Sequence, residues 1–187
     1  MVVIYGSVRS ARQGIRAARW VVDQLERRDH EVHLVDPVEL ELPMLDRMYK
    51  EYAEGEAPPA MRELAGRLVE AEGFVIVSGE YNHGIPPALK NLLDHYQREY
   101  HWRPAAIVTY SAGPFGGVRA LINMRAILAE LGTPSIPTSM PISRIGEAFD
   151  ATGEPLEVAY IERTKRLLDE FEWYCRALKR ERDTGLP

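Results

Sequence analysis

Cysteine is almost absent: Cys175 is the one thiol in 187 residues. A single thiol makes no internal disulfide, which excludes a stapled secreted scaffold and points to a reducing compartment. Long apolar runs are missing too, since no stretch approaches the roughly 18 residues of a membrane span. The N-terminal apolar run is short, and Arg9, Arg12, Arg16 and Arg19 follow it at once. A secretory signal instead carries its charge ahead of a longer run. A soluble, cytoplasmic protein with no membrane partner is expected. There is no basic excess: 23 Lys and Arg stand against 28 Asp and Glu, which argues against nucleic acid as a partner. No internal repeat or low-complexity segment interrupts the chain. His83, His95 and His101 are scattered and lack the carboxylate-backed cluster of a metal site.

What remains is 45% hydrophobic and 27% charged, the balance of an ordinary globular fold. The length fits one domain over residues 1–187, with a core large enough to need no staples. Three apolar, β-branched runs, Val2–Tyr5, Phe74–Val77 and Ala105–Tyr110, lack polar alternation and read as parallel strands covered on both faces. Glu31–Val35 alternates and suits an edge strand, and a fifth strand is expected near Thr133–Thr138 despite its prolines. Helical spacing runs through Ala11–Arg28, Pro59–Ala71, Pro86–His95, Val118–Leu131 and a terminal stretch of about 154–182. Strands alternating with helices predict an α/β fold, an open parallel sheet with helices on both faces. Residues 37–58 read as an irregular, acidic surface excursion.

In such sheets ligands sit beyond the carboxyl ends of the strands, so the loops there carry the chemistry. After the first strand comes Gly6-Ser7-Val8-Arg9-Ser10-Ala11-Arg12-Gln13-Gly14. Hydroxyls, two forked cations and the amides of a helix start make a phosphate cradle, although solvated arginines are the plainer alternative. After the third strand comes Gly79-Glu80-Tyr81-Asn82-His83-Gly84. Its glycines let backbone approach a flat ring, and Gly84 is expected to need a positive φ or close approach; an ordinary turn before a helix is the alternative. After the fourth strand, Ser111, Gly113, Gly116 and Gly117 leave amides exposed that can hold a carbonyl or an anion, or form a flexible helix entry. Together the loops suit a ligand with a phosphate tail and a planar heteroaromatic head.

Gly6-Ser7-Val8-Arg9, then Glu80-Tyr81-Asn82-His83 with Pro86 and Leu89-Lys90-Asn91, then Ser111 to Gly117 resemble the NADPH-dependent FMN reductase family of the flavodoxin-like superfamily. The resemblance runs from Met1 to about Leu131, and its middle motif is the most specific part. It implies a three-layer sandwich with strand order 2-1-3-4-5. It implies that Ser7, Arg9 and Arg12 hold the FMN phosphate with Ser10 and Gln13, and that Glu80, Tyr81 and Asn82, beside His83 and Gly84, line the isoalloxazine mainly through backbone. Ser111 and Gly113 to Gly117 would close the other side. The family usually has a proline where this chain has Gly79. The resemblance also implies a homodimer or homotetramer with the site near the subunit interface.

The expected activity is electron transfer from NADPH or NADH through FMN to a small-molecule acceptor such as a quinone, a free flavin, an azo compound or a metal oxyanion. The flavin carries the chemistry, so no catalytic side chain is nominated. Asp94 is read as a helix-surface partner of Lys90, Cys175 as no redox partner, and the three tryptophans as packing residues, with Trp102 able to reach the flavin of a neighbouring subunit. A flavodoxin-type carrier without a nicotinamide site is one alternative function. A non-redox protein using the cradle for another phosphate ligand is a second.

Overall fold

The β-branched runs become strands because both of their faces are covered. The computed structural model describes residues 1–186. Strands β1 (Val2–Tyr5), β2 (His33–Val35), β3 (Phe74–Gly79), β4 (Ala105–Tyr110) and β5 (Ser135–Ile142) pair in parallel in the order β2-β1-β3-β4-β5. Every residue of β1, β3 and β4 is buried, which explains why these strands lack alternation.

Among the described residues the helices around the sheet are α1 (Ile15–Glu26), α2 (Pro37–Leu40), α3 (Pro59–Glu70), α4 (Pro87–Asp94), α5 (Val118–Glu130) and α6 (Val158–Thr184). Successive strand residues point to opposite faces. Val3, Tyr5, Val75, Val77, Val108 and Tyr110 therefore pack with α1 and α6. Val2, Ile4, Phe74, Ile76 and Ile107 pack with α3, α4 and α5. The result is the flavodoxin-like three-layer sandwich, with β1 and β3 side by side at the switch point. Among the described residues no helix is long and apolar enough to cross a membrane.

The boundaries differ where loops or edges intervene. Helix α1 begins at Ile15 rather than Ala11, because residues before Gly14 turn back over the strand ends. Strand β5 runs on to Ile142 through Pro137 and Pro141; it is an edge strand, where a missing N–H costs little. Helix α6 starts at Val158, after a loop in which Phe149 bridges to Pro155. Residues 37–58 are mostly irregular, with the short α2 and a 3₁₀ turn at Tyr49–Glu51.

Trp20 is buried, and its indole N–H donates to Thr164 Oγ1 at 2.9 Å. Trp102 and Trp173 are surface residues within this chain. Trp102 lies at the opposite end of the sheet from the strand-end loops, where its backbone N–H donates to the Gly132 carbonyl. Cys175 is buried beside Gly73, and burial pushes its thiol up to about 12; no thiolate forms at neutral pH. Lys90 and Asp94 pair on the surface of α4.

Candidate active site

The three loops anticipated at the strand ends converge on one cleft of about 180 Å³. Ser7, Arg9, Arg12, Gln13, Glu80, Tyr81 and Ser111 line it, together with Gly79, Tyr110 and Ile145. Ser10, Asn82, His83, Gly84, Gly113, Gly116 and Gly117 belong to the same loops but lie outside its walls. A cavity of about 220 Å³ lies at the sheet edge among His33, Asp36, Glu63 and Arg67; neither glycine-rich loop after β3 or β4 reaches it.

The two arginines of the first loop have different surroundings. Arg12 Nη1 pairs with Asp36 Oδ1 at 2.5 Å, and the Asp36 side chain is only 3% exposed. Arg12 also donates to the Ser7 carbonyl at 3.4 Å. Asp36 ends β2 and caps α2, accepting from the Val38 N–H at 3.0 Å. The positive charge of Arg12 is thus balanced inside the protein. Arg9 is exposed, and its guanidinium has no ion pair or hydrogen bond among the described residues. Ser7 is buried; its Oγ accepts from the Arg9 N–H at 3.4 Å and meets the Tyr81 hydroxyl at 3.3 Å. Gln13 Oε1 accepts from Arg16 at 2.7 Å.

The second loop is a tight turn. Tyr81 and Gly84 exchange both backbone hydrogen bonds, at 2.9 and 3.0 Å, and the residues between them, Asn82 (φ 49°) and His83 (φ 68°), are left-handed. Two positive φ values in a two-residue loop make a type I′ hairpin turn, and Asn and His enter that region more readily than most residues. The positive-φ half of the expectation for Gly84 is therefore corrected: it has no positive φ, and within the protein a Cβ there would meet only the Tyr81 carbonyl at 3.7 Å and Asn123 Oδ1 at 3.9 Å. The strain sits on Asn82 and His83. Replacing Gly84 with alanine is expected to move the urea midpoint little. Asn82→Val, a branched residue forced to φ 49°, is expected to lose about 1–2 kcal/mol in the same titration. The opposite ranking would contradict the turn assignment.

Glu80 lies in the cleft wall with its carboxylate held at the start of α5. Its carboxylate accepts from the backbone N–H groups of Arg119 (2.9 Å) and Ala120 (3.2 Å) and lies 3.5 Å from Arg119 Nη1. An anion at a helix N-terminus satisfies orphan amides and meets the positive end of the dipole. Glu80 thereby ties the second loop to the third. In the third loop Gly116 and Gly117 have φ of 64° and 80°, and a Cβ on Gly117 would lie 2.9 Å from the Tyr110 carbonyl; only glycine fits there. Ser111 Oγ donates to the Gly113 carbonyl at 2.9 Å. Phe115 is exposed, with the Arg119 guanidinium 4.9 Å above its ring.

Sequence reasoning missed a fourth loop, Ser143 to Glu147 after β5. Ile145 reaches the cleft, its N–H donates to the Ser111 carbonyl at 3.0 Å, and the Arg144 N–H donates to the Gly113 carbonyl at 3.0 Å. An isoleucine has no chemical signature; the rule that ligands sit beyond every strand end was the signal available. Asp36, at the end of β2, was open to the same rule. Tyr5 and Tyr110 carry no site signal in the sequence beyond their place in strands, yet their rings stack with centroids 6.4 Å apart and Tyr110 lines the cleft. Burial raises both phenol pKa values, so both stay protonated.

A parallel sheet in this order, with a cleft beyond its strand ends that joins an unpaired cation to backbone-rich loops, defines the flavodoxin-like class of fold with a candidate ligand site. A sequence profile of the NADPH-dependent FMN reductase family matches residues 1–147. An NAD(P)H-dependent FMN reductase of Pseudomonas aeruginosa is 32% identical over 127 residues, 65% of this chain and 69% of that one. A quinone reductase of Pseudomonas putida is 30% identical over 161 residues, 81% of this chain and 82% of its own. Among solved structures, a flavoenzyme NAD(P)H:acceptor oxidoreductase from Paracoccus denitrificans superposes with a TM-score of 0.75 at 24% identity, covering 94% of this chain and 96% of its own; that likeness bears on the fold. The chain belongs to the NADPH-dependent FMN reductase family. Its cofactor is FMN, and its electron donor is NAD(P)H.

Proposed function

We propose that the cleft holds FMN with its phosphate on the Ser7–Gln13 loop and its ring between the Gly79–Gly84 and Ser111–Gly117 loops. The observation that carries this reading is the division of labour between two arginines: Arg12 is neutralised by buried Asp36, whereas Arg9 keeps its charge for an anion. Ser10 and Gln13 add polar contacts at the loop surface, and Ser7 holds the backbone turn. Glu80 keeps the α5 N-terminus and the second loop in register, so its role is to shape the site rather than to touch the ring. Held by these loops, FMN would supply the two-electron chemistry between the nicotinamide and the acceptor. None of the side chains lining the cleft is needed as an acid or base.

The acceptor class we favour is a quinone, on the strength of the quinone reductase relative from Pseudomonas putida. The whole chain is read as one FMN-binding domain. A homodimer is supported by the exposed apolar stripe Phe115, Val118 and Ile122 beside the cleft, which is the composition of an interface rather than of a solvated helix. One buried cysteine and no disulfide suit the cytoplasm.

Kinetics test the reading. Donor and acceptor must use the same opening in turn, so double-reciprocal plots at several quinone concentrations are expected to be parallel, the ping-pong pattern. Converging lines would show that both bind at once, and the shared cleft would have to be abandoned.

A further inference from the structure

Tyr110 stands at the junction of two cleft loops. A Cβ built on Gly14 would lie 2.1 Å from Tyr110 Cζ, and one on Gly79 would lie 3.1 Å from the same ring. Gly14 closes the loop after β1, and Gly79 opens the loop after β3. Neither glycine is left-handed, so the close approach of the ring is what leaves no room for a side chain. The Tyr110 ring is only 8% exposed; its hydroxyl donates to Tyr5 Oη at 3.3 Å, and it forms one wall of the cleft. Tyr5 is fully covered and carries the Arg12 guanidinium 5.7 Å above its ring. The ring is therefore a rigid spacer between the loop bearing Arg9 and the loop bearing Tyr81. Close-packed groups of this kind shift together or not at all.

We infer that Tyr110 is a positioning residue that sets the gap between the Gly6–Gly14 and Gly79–Gly84 loops, and with it the span between the phosphate and ring ends of the ligand. The inference rests on the FMN reading above and adds a residue to it. Because the span matters only to a ligand held at both ends, the effect of Tyr110 is specific to FMN. Riboflavin, which has the ring without the phosphate, is indifferent to it.

The test compares Kd values for FMN and riboflavin, with the parent protein measured first. Tyr110→Phe keeps the ring and is expected to bind both flavins within about twofold of the parent. Tyr110→Ala is expected to bind FMN about tenfold more weakly, a loss of about 1.4 kcal/mol, and riboflavin within about threefold. Gly14→Ala is expected to weaken FMN binding in the parent and to add nothing on top of Tyr110→Ala, since the clashing ring is gone. If Tyr110→Ala does not fold, Gly79→Ala carries the test: it displaces the ring by tenths of an ångström and is expected to cost FMN about threefold with riboflavin unchanged. Equal losses for the two flavins, in either variant, would overturn the inference and make Tyr110 a core residue only. So would parent-like FMN binding by Tyr110→Ala. A parent that binds neither flavin overturns the FMN reading itself; a parent that binds FMN isolates any later failure to Tyr110.

Discussion

Arg9→Ala is expected to weaken FMN binding by about tenfold or more while riboflavin binding stays within about twofold, because a charge-assisted contact is worth about 1.5–3 kcal/mol and riboflavin has no phosphate to make it. Fold stability is expected to be unchanged, since the Arg9 side chain holds no protein partner among the described residues. Arg12→Ala is expected to do the reverse. It strands the Asp36 carboxylate, 3% exposed, without its counter-charge, and removing one partner of a buried pair costs about 3 kcal/mol. Isothermal titration with both flavins and urea denaturation of both variants separate the two roles. If Arg9→Ala lost FMN and riboflavin equally, or unfolded as readily as Arg12→Ala, Arg9 would be a structural residue and the phosphate assignment wrong.

Glu80→Ala is expected to lower stability by about 2 kcal/mol, because two N–H groups at the start of α5 lose a charged acceptor at the favourable end of the dipole. Water reaches the site in part, as the carboxylate is 10% exposed, so the loss is expected at the lower end of the range for charged hydrogen bonds. Glu80→Gln keeps an acceptor and is expected to lose about half as much. FMN affinity is expected to fall with stability in Glu80→Ala, because the turn at Tyr81–Gly84 is then free to drift from the Ser111–Gly117 loop. A parent-like urea midpoint for Glu80→Ala would show that the helix start does not depend on this side chain.

Periodicity and composition carried the scaffold. Val2–Tyr5, Phe74–Val77 and Ala105–Tyr110 were recognisable because a strand buried on both faces has no polar positions. The three glycine-rich loops were recognisable because they fall at the ends of those strands. Pairings between side chains far apart in the chain leave no local trace. Arg12 finds its partner 24 residues on, and Glu80 caps a helix that begins 38 residues later. Arg12 and Glu80 both line the cleft, and the sequence does not show that their side chains also hold partners inside the protein. Gly84 drew attention as a glycine, yet the left-handed positions are Asn82 and His83; a type I′ turn accepts such residues, and the distinction needs φ values. Ile145 was invisible because an apolar residue after an edge strand resembles any other.

The most direct test of FMN-dependent electron transfer is the visible absorption spectrum of the purified protein loaded with FMN and titrated anaerobically with NADPH. The flavin band is expected to appear on loading, bleach with one equivalent of NADPH per bound FMN, and return when a quinone is added. A protein that takes up no FMN, or one that holds FMN which NADPH leaves unbleached as an electron carrier would, contradicts an NAD(P)H oxidoreductase.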